Sequence, residues 1–481
     1  MDASRFRTPL VGLALGAVFL MAGALAWIAN MRVAAEPAPA WDAADRLGEL
    51  VASRQPHGAV DAWPIYQRIL HEALGIDDLL NPDGNELYAA FISHRRDDDP
   101  LRGDWNDPYW VSHRARLEEL RPLFPLLDEL AEAMGYSRPY LRPEEFGEGP
   151  APGFTILLPE VSLMRQLARL NTVGMRAAAE AEDWGEVVRR FRTGRAIGRH
   201  LSFQATMIEW LVSAAVIALV HNEMIRIVME HDIPAPVCEA LLRAMAEIEW
   251  PGPAPEEMHE GERIAQHDLL QWVYEPGEDG RLVEWALWSF SGFTGVGVGA
   301  NLDPASPPPL HWRLTNLSPR FLYTPTHGRT LREIDDLFDQ YALLATPGAD
   351  FHEFDSAAAI ARIIRHPVLE YFMPALDRAS NNLMISLTFQ AALEAMLRLE
   401  LRHAATGAWP ATLEEAMTPA QATDPVTGDP FEYERIEDDA DGRPYILRGP
   451  ALYPLTVRLD HWPVLNNARE PIPEAWREIE P

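Results

Sequence analysis

The stretch 163–201, LMRQLARLNTVGMRAAAEAEDWGEVVRRFRTGRAIGRHL, decides the fold class. Apolar residues recur three and four apart on both sides of Glu182-Asp183-Trp184-Gly185, the period of one face of an α-helix. This spacing predicts a helix from Leu163 to Ala181, a second capped by Asp183 and running to about Leu201, and a third from Thr206 to Met229. Val187, Val188 and Phe191 fall on the face of the second helix turned toward its partner. The pair has the look of half a helical-repeat unit, but no second copy recurs at a fixed period. A compact helical bundle is therefore expected rather than a solenoid. Leu211 to Val220 (LVSAAVIALV) forms an uncharged run inside the third helix, flanked by Glu209 and Glu223. Ten residues are too few to cross a bilayer, so this run reads as a core helix. Helical spacing with breaks at Pro, Gly and Asp holds from Trp41 to about Trp250, without sustained strand alternation.

Upstream lies a different kind of segment. Leu10 to Ala29 (LVGLALGAVFLMAGALAWIA) is uncharged throughout, and at ~1.5 Å per residue a helix of that length reaches ~30 Å, the thickness of the hydrocarbon layer. Lipid offers backbone groups no partner, so such a run crosses as a helix. Arg5 and Arg7 precede it and Arg32 follows, which favours a cytoplasmic amino terminus and an extracytoplasmic body. The alternative is a cleaved signal peptide, with small residues at Val33-Ala34-Ala35 and Ala38-Pro39-Ala40, leaving a secreted or periplasmic protein. Glu36 to Ala40 (EPAPA) reads as a short stiff spacer.

Composition removes whole reaction classes. All 41 basic residues are arginine, so no Schiff-base, Walker or kinase-type lysine exists here. The 72 acidic residues bring the formal charge to -31, which repels phosphate backbones; nucleic acid is not an expected partner. Cys238 is the single cysteine, which excludes intramolecular disulfides, thiolate zinc clusters and cysteine-ligated iron–sulfur centres. It sits in an apolar helical pattern and reads as a buried, inert thiol.

The chain divides on these signals into a stub, anchor and spacer at 1–40, a helical domain at 41–250, an irregular insertion or linker region at 251–330, and a terminal part at 331–481. Pro251-Gly252-Pro253-Ala254-Pro255 breaks the chain, a polar helix follows, and Pro304 to Pro309 (PASPPP) cannot be regular structure. Helices are expected again at Thr330–Ala345, at Asp355–Arg365 and from about Pro374 to Ala405. Gly407 can close that last helix in a left-handed conformation, and Thr412 with Glu415 fits a capping box for a short second one. Turns at Asp424-Pro425 and Gly428-Asp429-Pro430 lead to a strand at Phe431–Ile436 and a return strand at Arg443–Arg448. The expected class is mainly α: one N-terminal transmembrane helix, a helical bundle body, and a small C-terminal α+β module with an antiparallel hairpin.

Gly407-Ala408-Trp409-Pro410 and Asp424-Pro425 to Phe431, set after a long helix, give residues 385–448 an order that resembles the globular part of type II secretion major pseudopilins. With Ala62-Trp63-Pro64-Ile65-Tyr66 and Gly261-Glu262-Arg263, the whole chain resembles uncharacterised membrane-anchored bacterial proteins. The second resemblance implies an architecture and a location and no reaction. The first implies calcium near the chain's end, where Asp438, Asp439 and Asp441 precede Gly442 with oxygen ligands of the kind that ion takes. An acidic Asp-Gly turn explains the same residues.

Other constellations have plain readings beside them. His259-Glu260-Gly261-Glu262-Arg263 nearly spells a zinc-protease signature, with Arg263 where the second histidine belongs and His267 two turns from His259. A divalent metal among His259, Glu260 and His267 competes with a solvated charged face. Gly295-Val296-Gly297-Val298-Gly299 lacks the helix that a dinucleotide loop must open. Trp285, Trp288, Phe290 and Phe293 fit either contact with a bilayer surface or burial against the helices. Asp97-Asp98-Asp99-Pro100 beside Trp105 to Trp110 sets carboxylates near aromatics, as a glycosidase would, and equally as a solvated loop would. No residue is assigned a catalytic role and no cofactor is expected. Interaction or scaffolding in the cell envelope, with a protein or glycan partner, is the expected role; an exported hydrolase acting on envelope glycans is the alternative.

Overall fold

The computed structural model describes residues 39–76, 105, 114–115, 117–141, 153, 156–281, 325–346, 376–436, 444–449 and 465–466. The apolar run Leu10–Ala29, the aromatic segment 282–300, the expected helix Asp355–Arg365 and the acidic turn 438–441 lie outside these residues.

The described chain is mainly helical. Helix α1 (Ala43–Arg54) is capped by Asp42, whose Oδ1 accepts from Ala44 N at 2.8 Å. Helix α2 (Trp63–Arg68) runs into a π turn at Ile69–Ala73, and α3 (Phe124–Glu132) precedes the irregular segment 133–141. Three long helices form the centre: α4 (Pro159–Glu180), α5 (Trp184–Ser202) and α6 (Met207–Glu230). They are followed by α7 (Ala235–Glu247), α8 (Glu260–Val273), α9 (His327–Leu344) and the 31-residue α10 (Leu376–Thr406). Helix α4 starts four residues before the expected Leu163, because Pro159 suits the first turn, where its missing N–H is not needed.

Local chemistry fixes the central hairpin. After α4 the backbone turns left-handed at Glu182 (φ 54°), and Asp183 N reaches back to Ala178 O at 2.9 Å. Asp183 Oδ1 then accepts from Glu186 N at 3.1 Å and opens α5, as expected from the sequence. Thr206 and Glu209 form a reciprocal capping box at the start of α6. Val187 and Phe191 are fully buried and Val188 packs at the margin of the core.

Helices α5 and α6 touch at close range through glycine. A Cβ on Gly194 would stand 2.5 Å from Val220 Cγ2, and one on Gly198 2.6 Å from Ile217 Cγ1. Only a residue without a side chain lets α6 seat its branched residues there. By length and composition α6 could cross a membrane; 61% of its apolar window is buried inside the protein, against α4, α5 and α10. One apolar cluster gathers Trp210 and Ile217 of α6, Trp250, Leu269 and Val273 of α8, Phe338 of α9 and Leu383 of α10. The stretch after the Pro251–Pro255 break is thus built into the body's core.

The terminal module follows α10 as expected. Gly407 takes φ +73° and its N–H meets His403 O at 2.8 Å, ending the helix. Strands β1 (Glu432–Arg435) and β2 (Tyr445–Arg448) pair antiparallel with Tyr433 opposite Leu447, and β3 (Leu465–Asn466) adds to the far edge of β2. Phe431, Tyr445 and Leu447 pack on Leu393 and Met396 of α10. The antiparallel hairpin is as expected, and one expectation is corrected. The Thr412–Glu415 capping box does not form: Leu413–Glu415 is a single 3-10 turn, and Glu415 instead receives Ala411 N at 3.1 Å. The capping box is Thr418 with Gln421, because Pro419 supplies the first-turn geometry. The hairpin is also part of a three-stranded sheet, whose third strand lies beyond residue 448.

Candidate functional site

Chemistry-bearing residues concentrate where the segment 133–141 lies across the starts of α4 and α6. Arg138 is 2% exposed; its Nη1 stands 2.8 Å from Glu160 Oε1 and its Nη2 donates to Leu157 O at 2.9 Å. Glu160, in the first turn of α4, is 1% exposed. Glu209, also 1% exposed, occupies the matching place on α6, where its Oε2 accepts from Tyr140 Oη at 2.9 Å, Thr206 Oγ1 at 2.9 Å and Thr206 N at 3.1 Å. Tyr140 Oη in turn accepts from Ala205 N at 2.8 Å. One enclosed guanidinium therefore pairs with Glu160 and acts through its charge on Glu209.

Burial decides their protonation. It holds the Glu160 carboxyl up at about 8, against the pull of Arg138, and the Glu209 charge adds to the rise. Burial also raises Glu209, opposed by Arg138 and by the hydrogen bonds from Thr206 and Tyr140. Beside them His200 Nε2 donates to Ala133 O at 2.6 Å, which leaves Nδ1 to accept from Tyr66 Oη at 3.0 Å. Burial pushes that imidazole down to about 4, so it is neutral at pH 7. Arg54, on α1, donates to Gln204 O at 2.7 Å and lies 5.8 Å from the Trp210 ring. This polar centre can hold a proton and ties α1, segment 133–141, α4, α5 and α6 together. Glu160 is held by its ion pair with Arg138, and its enclosed Oε2 makes no hydrogen bond.

The sequence-derived metal candidates go elsewhere. His259 is buried and its Nε2 meets Ser380 Oγ at 3.1 Å; Glu260 Oε2 lies 3.4 Å from Arg263; His267 Nε2 is 2.8 Å from Asp335 Oδ1. They face three different partners and are not brought together as a ligand set. Among the described residues, the His, Cys, Asp and Glu group whose ligand atoms lie within 4.8 Å of one another is Glu180, Glu230 and His231. Sequence reading passed over it: Glu230-His231 adjoin at a helix end, but nothing in the letters brings Glu180 to them. Asp438, Asp439 and Asp441 lie outside the described residues, as do Asp97, Asp98 and Asp99. Trp105 is partly buried against the core, with the Arg114 guanidinium 5.3 Å from its ring. Cys238 is buried on α7, its thiol pushed up to about 12 mainly by burial, which fits an inert residue.

Comparison with protein-family models, with curated proteins and with solved structures finds no match to this chain.

Proposed function

We propose that this chain is a membrane-tethered extracytoplasmic protein whose helical body acts by interaction or scaffolding in the cell envelope, without a reaction of its own. The observation that carries the reading is the short path between the apolar run and the body. Leu10–Ala29 is uncharged, and by Ala40 the chain is already fastened: Ala40 N donates to Gln271 Oε1 of α8 at 2.7 Å. Gln271 Nε2 lies 3.4 Å from Trp41 O, and the Arg46 guanidinium is 5.6 Å from the Trp41 ring. The residues between Ala29 and Ala40 span at most about 40 Å when extended. Such a leash keeps α8 and the start of α1 close to the bilayer surface. The non-catalytic half of the reading is supported by enclosed ionisable groups that join elements, as Arg138 joins the segment 133–141 to Glu160 of α4 and Arg195 joins α5 to α6 and α10.

Carbonate extraction of cell membranes followed by terminal sequencing of the full-length protein tests the tether. The protein should resist carbonate, dissolve in detergent and keep the residues before Leu10. A mature chain beginning at Glu36 or Trp41 would replace the tether with a secreted or periplasmic protein. Release of soluble sugar from purified cell-wall glycan by the full-length protein would contradict the non-catalytic half and favour the hydrolase.

A further inference from the structure

Asp268, on α8, is a fully enclosed carboxyl that meets donors but no cation. Its Oδ2 accepts from Gly153 N at 2.7 Å and its Oδ1 from Gln271 Nε2 at 3.3 Å. Among the described residues no guanidinium or imidazole pairs with it, and the charged group that faces it from the start of α1 is another carboxylate, Asp42. Arg46 of α1 lies over the Trp41 ring instead. Helix α9 brings Asp335 and Asp339 to α8, where His267 and Arg263 take them.

The same carboxyl lies under the point where the chain enters the body. Gln271 serves both: its Nε2 also faces Trp41 O at 3.4 Å, and its Oε1 accepts from Ala40 N at 2.7 Å. Gly153 forms a second covering. A Cβ there would stand 3.0 Å from Ala43 Cβ and 3.4 Å from Asp268 Oδ2, so a residue without a side chain closes over the carboxyl and the first turn of α1 together. An ionised Asp268 suits its donors but sets an enclosed charge without a counterion; a neutral one avoids the charge, yet its hydroxyl faces donors. Water relieves the ionised form once the coverings lift.

We propose that Asp268 works a proton-controlled clasp on the stretch Ala40-Trp41, closed while the carboxyl carries a proton and loosened when it is ionised. Burial raises the Asp268 carboxyl to about 7, and Asp42 adds to the rise against the hydrogen bonds from Gly153 and Gln271. Opened to water, the group returns toward its ordinary 3.8, so the open form has lost a proton that the closed form keeps. Opening therefore becomes easier as pH rises from 3.8 and levels off above 7. What a loosened clasp does to the leash rests on the tether proposed above. The clasp itself does not, since it involves residues from Ala40 onward.

The test is hydrogen–deuterium exchange of the full-length chain in detergent between about pH 5 and 8, corrected for the intrinsic pH dependence of amide exchange and read on peptides covering 40–47. In the wild type the opening constant there should rise at least about tenfold from about pH 5 to 7 and then level off. Asp268→Asn has no proton to lose and should give a flat profile. Gln271→Ala removes the partner of Ala40 and should leave that stretch weakly protected at every pH. Peptides from α6 should exchange as in the wild type, which shows that both variants fold. A flat wild-type profile would overturn the clasp. So would a wild-type slope kept by Asp268→Asn, which would place the titrating group elsewhere. Loss of the tether would change neither result.

Discussion

Glu160 shows how a single residue makes stability depend on pH. Its carboxyl is held up to about 8 in the folded protein by burial, whereas in an unfolded chain it titrates near its ordinary 4.5. A raised folded value means that the native state keeps a proton the unfolded state has lost. The contribution is complete below pH 4.5 and disappears as pH rises through 8. Glu160→Gln fixes the side chain in a neutral form and should remove this dependence. The difference in unfolding free energy between wild type and variant, from denaturant titrations, should therefore change by roughly 3–5 kcal/mol across that window, with the wild type losing ground as pH rises. Parallel profiles would show that Arg138 keeps Glu160 ionised throughout. At the other end of α4, Asp183 makes a simpler case. Asp183→Ala removes the acceptor for Glu186 N and should cost about 1 kcal/mol of stability, with the fold retained.

At the scale of elements, the contact of α5 with α6 depends on the glycines that face Val220 and Ile217. Gly194→Ala puts a methyl group 2.5 Å from Val220 Cγ2 and should destabilise by about 1–3 kcal/mol. Adding Val220→Ala makes room for that methyl, so the double variant should be more stable than the two single losses summed; simple additivity would mean the helices part rather than press. The elements themselves were largely legible in the sequence, since caps and breakers act within one turn. Asp183 stands at the start of α5, Thr206 at the start of α6 and Gly407 at the end of α10. Where the reading went astray, two local solutions competed: both Thr412–Glu415 and Thr418–Gln421 spell a capping box, and Pro419 decides for the second. Strand β3 carries no signal of its own, being two residues long and defined only by its pairing with β2. The polar centre was not legible at all. Tyr140 and Glu209 are 69 residues apart, and a buried arginine in a helical pattern reads like a solvated one until its partner comes into view. The same holds for Glu180 and His231, whose meeting depends on α4 and α6 ending together.

For the whole molecule, an arginine-only basic complement meets a body dense in enclosed ion pairs. Arginine's planar fork can satisfy several acceptors at once, as Arg195 does: it donates to Ile248 O at 2.6 Å, Met245 O at 3.2 Å and Gln390 Oε1 at 3.1 Å, and meets His221 Nε2 at 2.7 Å. Such pins join α5, α6, α10 and the end of α7 into a body that needs no disulfide. A single buried cysteine is consistent with that dependence on packing and ion pairs. In the reading proposed above, a body fastened at Ala40 and Trp41 would be held on a short leash above a bilayer. The central claim is that the body and the amino terminus lie on opposite sides of the membrane. Protease added to intact spheroplasts that carry the full chain, read with antibodies to tags at each end, tests it most directly. The carboxy-terminal tag should vanish and a short amino-terminal stub should survive; protection of both tags until the cells are lysed would contradict the account.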